Sequence, residues 1–142
     1  MTANLLLILL AQAPAPTVVG PADIAWQPAP PVLEPGAQAA ILSGNPGQPG
    51  AVVLRVRVPD KYRIAPHRHP TDEYVTVLSG SMCLTIGAAA PRCLGAGGFA
   101  AIPANAPHSV TFSGTTEYQI NVAGPFPMVY VNSGDDPSQR PR

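Results

Sequence analysis

The chain has 142 residues, 46% of them hydrophobic and 11% charged, enough for one domain with a packed core and not for two. Eight basic residues balance eight acidic ones, so nothing in the charge points to nucleic acid or an anionic membrane as partner. Nineteen prolines, thirteen glycines and the lack of a sustained i, i+3, i+4 apolar pattern argue against long amphipathic helices and for short strands joined by turns.

At the N-terminus, Leu5 to Leu10 is an unbroken apolar run followed by Ala11-Gln12-Ala13, the order of a secretory signal and its small-residue cleavage site. The run is too short to span a bilayer. Residues 1–13 are therefore read as a signal peptide and the protein as periplasmic or secreted. Because Met1 to Asn4 supply no basic leader, a buried N-terminal strand or helix of a cytoplasmic protein is the competing reading. Residues 14–34, rich in proline and alanine around Trp26, are expected to form an extended arm over the domain, anchored by that tryptophan.

Residues 35–131 are expected to form the domain itself. Ala51 to Val58 alternates, with Val52, Leu54, Val56 and Val58 on a buried face and Val53, Arg55 and Arg57 on a solvated one. Glu73 to Leu78, a Ser79-Gly80 turn and Ser81 to Ile86 are predicted as a hairpin. Phe99 to Ile102, Ser109 to Phe112, Thr115 to Val122 and Met128 to Val131 are further strands, giving an all-β sandwich or barrel. Cys83 and Cys93 flank a predicted turn through Ala88 to Pro91; they either pair across it or are two small buried residues. Residues 132–142 offer nothing apolar beyond Asn132 and are expected to be a mobile tail.

The chemistry concentrates in Pro66-His67-Arg68-His69-Pro70-Thr71-Asp72-Glu73. Residues two apart on a strand point to one face, so the imidazoles of His67 and His69 can converge on one ion, and Glu73 shares their parity. His108, the only other histidine, opens a predicted strand after the turn from Pro103 to Pro107. Three nitrogens and one carboxylate suit a single divalent copper, iron, manganese, nickel or zinc ion and leave two positions of an octahedron open. Glu73 is either the fourth ligand or a catalytic base, and the sequence does not choose.

These residues resemble the cupin superfamily, whose first motif ends in His-x-His, then three or four residues, a Glu, six further residues and a Gly. His67, His69, Glu73 and Gly80 match that motif, and Gly97, Pro103 and His108 match part of the second. Lys61, Asn105 and Phe112 depart from it, replacing two glycines and a closing asparagine. Asn105 adopts left-handed backbone readily, whereas Lys61 there would cost about 1 kcal/mol or more. The chain is also similar to small exported cupins with a Trp-containing arm, a Pro-His-x-His-Pro segment and a closing Gly-Pro-Phe, here Gly124-Pro125-Phe126.

The resemblance implies a single-domain cupin-type jelly-roll β-barrel and a homodimer. It also implies an oxidoreductase of dioxygenase or oxidase type, with copper-dependent oxidation of a carbohydrate or phenolic substrate as a precedent among small cupins. A non-redox isomerase or lyase and a non-catalytic metal- or ligand-binding module are the alternatives. By parity, Val75, Val77, Val110 and Phe112 supply an apolar wall near the ligands, and Gln119 and Asn121 face either the cavity or solvent.

Overall fold

The structure, a computed structural model, describes residues 16–140. The expected signal peptide, the first two residues of the arm and the last two of the tail lie outside the described residues. Nine strands carry the fold: β1 (Gln27–Pro28), β2 (Gln38–Ser43), β3 (Gly50–Val58), β4 (Arg63–Arg68), β5 (Glu73–Ile86), β6 (Arg92–Gly95), β7 (Phe99–Ile102), β8 (His108–Gly124) and β9 (Val129–Tyr130). Among the described residues there is no α-helix, and so none long and apolar enough to cross a membrane.

Two long strands organise the rest. β5 and β8 pair antiparallel from Glu73 with Val122 to Ile86 with His108. Along its second half β8 also pairs with β3, which extends the sheet through β2 to β1, while the first half of β5 pairs with β7. Along its first half β8 pairs with β4 and so reaches β9, while the second half of β5 pairs with β6. Two antiparallel sheets thus share their central strands and curl into the expected jelly-roll barrel.

The predicted hairpin through Ser79-Gly80 is absent, and the strands predicted at 109–112 and 115–122 are one. The register between β5 and β8 slips at Val77/Ser79 and Ser79/Ser81, and Gly80 and Gly114 take φ of 76° and 71°. Both strands therefore bend through a bulge and pass from one sheet to the other. Thr116, fully buried, ties the bend: its Oγ1 accepts from the Ser81 N–H and lies 3.1 Å from the carbonyl oxygens of Ser81 and Gly114. A Cβ on Gly80 would run into that hydroxyl and lie 2.6 Å from the Thr115 carbonyl oxygen, so only glycine fits.

Alternation sets the core. Val52, Val56 and Val58 of β3 point inward as read, with Val75, Val77, Val110, Phe112, Ile120 and Val122 from the central strands. Arg55 and Arg57 lie on the outer face but are engaged there: Arg57 donates to Glu117 at 3.1 Å and Arg55 to Gln119 at 3.2 Å. The Arg57 guanidinium also sits 4.2 Å from the centre of the Trp26 ring, which anchors the arm to the sheet by a cation–π contact. Gln119 and Asn121 bond to each other on this same outer face, which removes them from the cavity. The arm does more than lie over the domain, since β1 extends the sheet and Val32 and Glu34 accept hydrogen bonds from Tyr130 and Tyr62.

Cys83 and Cys93 are register partners in β5 and β6 and form a disulfide. The segment read as a mobile tail folds into 3-10 turns at Ser133–Asp135 and Pro137–Gln139. Local polar chemistry replaces apolar burial there: Asn132 and Asp136 cap the turns, and Arg140 pairs with Glu34 at 2.6 Å.

Candidate metal centre

His67 and His108 are direct partners across β4 and β8. A bulge makes this possible: the register passes from Ile64 opposite Val110 to His67 opposite His108, so three steps along β4 match two along β8. Pro66, which has no N–H to leave unpaired, falls within it. Ile64 and His67 consequently both face inward although an odd number of steps separates them, and His69 follows on the same side. Glu73 opens β5 beside them, opposite Ile102 and Val122.

The three imidazoles and the carboxylate of Glu73 are all buried, each residue 5% exposed or less. One ring nitrogen from each histidine lies within 4.8 Å of the others, so the three could hold a metal ion. Glu73 is outside that tight triad but stands beside two of its members, its Oε2 3.3 Å from His108 Nε2 and 3.8 Å from His69 Nε2. The four residues singled out in the sequence therefore meet at one place.

Hydrogen bonding fixes which nitrogen of each ring is free. Nδ1 of His67, His69 and His108 lies 2.8, 2.9 and 3.0 Å from the carbonyl oxygens of Ala65, Pro127 and Ala106. A carbonyl only accepts, so each Nδ1 carries the proton and each Nε2 is left with a bare lone pair. Glu73 Oε2 is buried and, among the described residues, has no hydrogen-bond donor. Acceptors thus face acceptors at the centre of the site. That arrangement is repulsive as it stands and is satisfied by a cation, with the Nδ1 bonds acting as the outer support usual for histidine ligands.

Burial works in the same direction. It pushes the His67 imidazole down to about 3, helped by the neighbouring His108, and it lowers His69 too, against the opposing pull of Glu73. Both rings are therefore neutral and ready to donate lone pairs at physiological pH.

The turns around the site accommodate the departures from the motif. Lys61 and Asn105 both take positive φ, 62° and 61°, in the places of the two expected glycines. The Asn105 N–H donates to the His69 carbonyl at 2.7 Å, joining the turn before β8 to the segment that carries His67 and His69. Phe112, where the motif has asparagine, packs between Tyr62 and Tyr118 in the core.

The cluster opens into a cavity of about 800 Å³ lined by both sheets, by the arm from Ala25 to Leu33 and by Pro125 to Met128. Of the wall residues expected from parity, Val75 and Val110 line it, while Val77 and Phe112 belong to the packed core. Three contributors escaped the sequence. Phe126 stacks on the His69 ring at 4.0 Å between centres, Pro127 supplies the His69 carbonyl partner, and Tyr118 lines the cavity. Burial raises the Tyr118 phenol well above its ordinary range, and the charge of Glu73 adds to this. Gly124-Pro125-Phe126 stood out in the sequence, but nothing in its spacing tied it to His69.

The family profile for the cupin domain matches residues 54–122. No curated protein matches the chain by sequence. Among solved structures, the polyketide cyclase RemF from Streptomyces resistomycificus is 24% identical with a TM-score of 0.71, over 88% of this chain and 92% of that one. A putative acetylacetone dioxygenase from Methylibium petroleiphilum PM1 is 23% identical with a TM-score of 0.71, over 91% of this chain and 90% of that one. The DMSP lyase DddQ from Ruegeria pomeroyi DSS-3 is 20% identical with a TM-score of 0.64, over 78% of this chain and 62% of that one. At these identities the likeness is one of fold, and the three names span three kinds of reaction.

Proposed function

Because the chain belongs to the cupin superfamily, we propose that it is a mononuclear metal-dependent enzyme, an oxidoreductase of dioxygenase or oxidase type acting on a small organic molecule held in the barrel. The observation that carries the metal reading is the convergence of four buried acceptor atoms with no donor among them. His67, His69 and His108 would hold the ion through Nε2 and Glu73 through Oε2. Bound there, a transition metal supplies a Lewis acid and, if redox-active, an electron path between substrate and dioxygen.

The chain's own residues do the rest. The carbonyls of Ala65, Pro127 and Ala106 keep each imidazole in one tautomer and one orientation. Phe126 covers one face of His69, and the cavity walls beside the site are mainly apolar. Where Glu73 is not a ligand, its Oε2, free of protein donors among the described residues, can instead take a proton from a substrate lying against it. We also propose that the protein is exported, a reading the Cys83–Cys93 disulfide favours, and an exported location would make copper the first ion to try.

Elemental analysis of the purified chain, with His67→Ala and His108→Ala as controls, tests the site. Equal metal in all three would sink it. Oxygen uptake by the reconstituted protein during turnover tests the reaction class. The unpartnered carboxylate favours a second reading, a non-redox enzyme in which Glu73 transfers protons, and undiminished turnover without oxygen or any other electron acceptor would establish it. A homodimer is also expected, and a monomer mass by light scattering would reject it.

A further inference from the structure

The walls of the cavity separate classes of ligand. Apart from His67, His69, Glu73 and His108, the only polar side chains lining it among the described residues are Gln27 and Tyr118, and Gln27 lies on the exposed short strand β1. No lysine, arginine, aspartate, asparagine, serine or threonine is among the described lining residues. A sugar brings a hydroxyl on nearly every carbon, and each one buried against hydrocarbon without a partner is unfavourable. Away from the metal centre, a phosphate or carboxylate would meet no arginine or lysine to balance its charge. The walls instead offer aliphatic surface, the thioethers of Met82 and Met128 and the ring of Phe126 beside His69. Tyr118 lines the cavity, whereas the hydroxyls of Tyr62 and Tyr130 donate to the carbonyls of Glu34 and Val32.

We infer that the occupant is a neutral, mainly apolar ring compound whose hydroxyl or carbonyl oxygen sits at one edge. That edge is turned toward the histidines and Glu73, and the ring lies against the hydrocarbon walls. Tyr118 is the second polar group available, for one further substituent. The orientation rests on the metal reading above; the exclusion of sugars and anions rests on the walls alone.

The test titrates the full chain, metal-loaded and metal-stripped, with phenol, 2-naphthol, glucose and glucuronate by calorimetry. The metal-loaded protein should bind 2-naphthol about tenfold more tightly than phenol, because four more ring carbons leave water. Neither sugar should bind measurably. Ala100→Leu fills the cavity from β7 without adding a polar atom, and it should weaken 2-naphthol more than phenol while melting temperature and metal content stay near those of the parent. Tighter binding of glucose or glucuronate than of 2-naphthol, or no binding of 2-naphthol to metal-loaded protein, overturns the inference. Retained metal with the wrong ligand preference refutes the substrate class alone. Absent metal uptake with retained naphthol binding refutes the metal reading and leaves the apolar class standing.

Discussion

Lowering the pH should destabilise the metal-free protein well before its carboxylates titrate. His67 is buried against His108, which takes its imidazole from 6.5 in the unfolded chain down to about 3 in the fold. Between those values the unfolded state holds a proton that the native state refuses, so stability is complete above the unfolded value and drains away as the pH falls through that window. Going from about pH 7.5 to about pH 5, this one group removes about 2 kcal/mol. His69 is lowered in the same direction and adds to the loss. Urea unfolding of the metal-free chain at the two pH values measures it, with His67→Gln as the control whose pH dependence should shrink by about 2 kcal/mol. Equal parental stability at both values, or an unchanged dependence in the variant, would refute the reasoning.

Glu73→Gln should leave the metal-free protein as stable as the parent or more so, because it removes a buried charge that no donor satisfies, while metal affinity measured by competition with a chelator falls. A large loss of metal-free stability would show that the carboxylate serves the fold. Gly80→Ala should cost about 2 to 5 kcal/mol in urea unfolding, combining left-handed backbone with a collision against Thr116; a loss within experimental error would deny the bulge. Replacing Cys83 and Cys93 together by serine should cost about 2 to 3 kcal/mol from the ten-residue separation they span, read as a lower urea midpoint that added reductant no longer changes.

Local pattern made much of this molecule legible. The alternation in Ala51 to Val58 identified β3 and its buried face, and the shared parity of His67, His69 and Glu73 picked out residues that the fold buries together. What escaped depends on partners far along the chain. A glycine at positive φ serves a tight turn and a bulge equally well, and only the pairing of β5 with β8 on both sides of Gly80 shows which it is. The parity argument was also incomplete, because the β4 bulge changes which residues face inward, and it could not see that Gln119 and Asn121 face out. The tail misled because capped 3-10 turns and one ion pair to Glu34 can order a segment that has no apolar residue to bury. Phe126 and Pro127 meet His69 only through closure of the barrel, which no spacing in the sequence reveals.

The three Nδ1 bonds differ in reach. His67 and His108 are each steadied by the carbonyl two residues before them, whereas His69 depends on Pro127, 58 residues downstream and beyond the last long strand. Two of the imidazoles are therefore set by their own strands, and the third is set only when the chain's final stretch has docked. A polypeptide emerging from synthesis cannot hold all three rings in place until the segment carrying Pro127 has been laid down. An ion held by all three rings would therefore report that the barrel has closed, and a nick or insertion that displaces Pro127 would be felt at His69 while the strands bearing the other two rings stay paired.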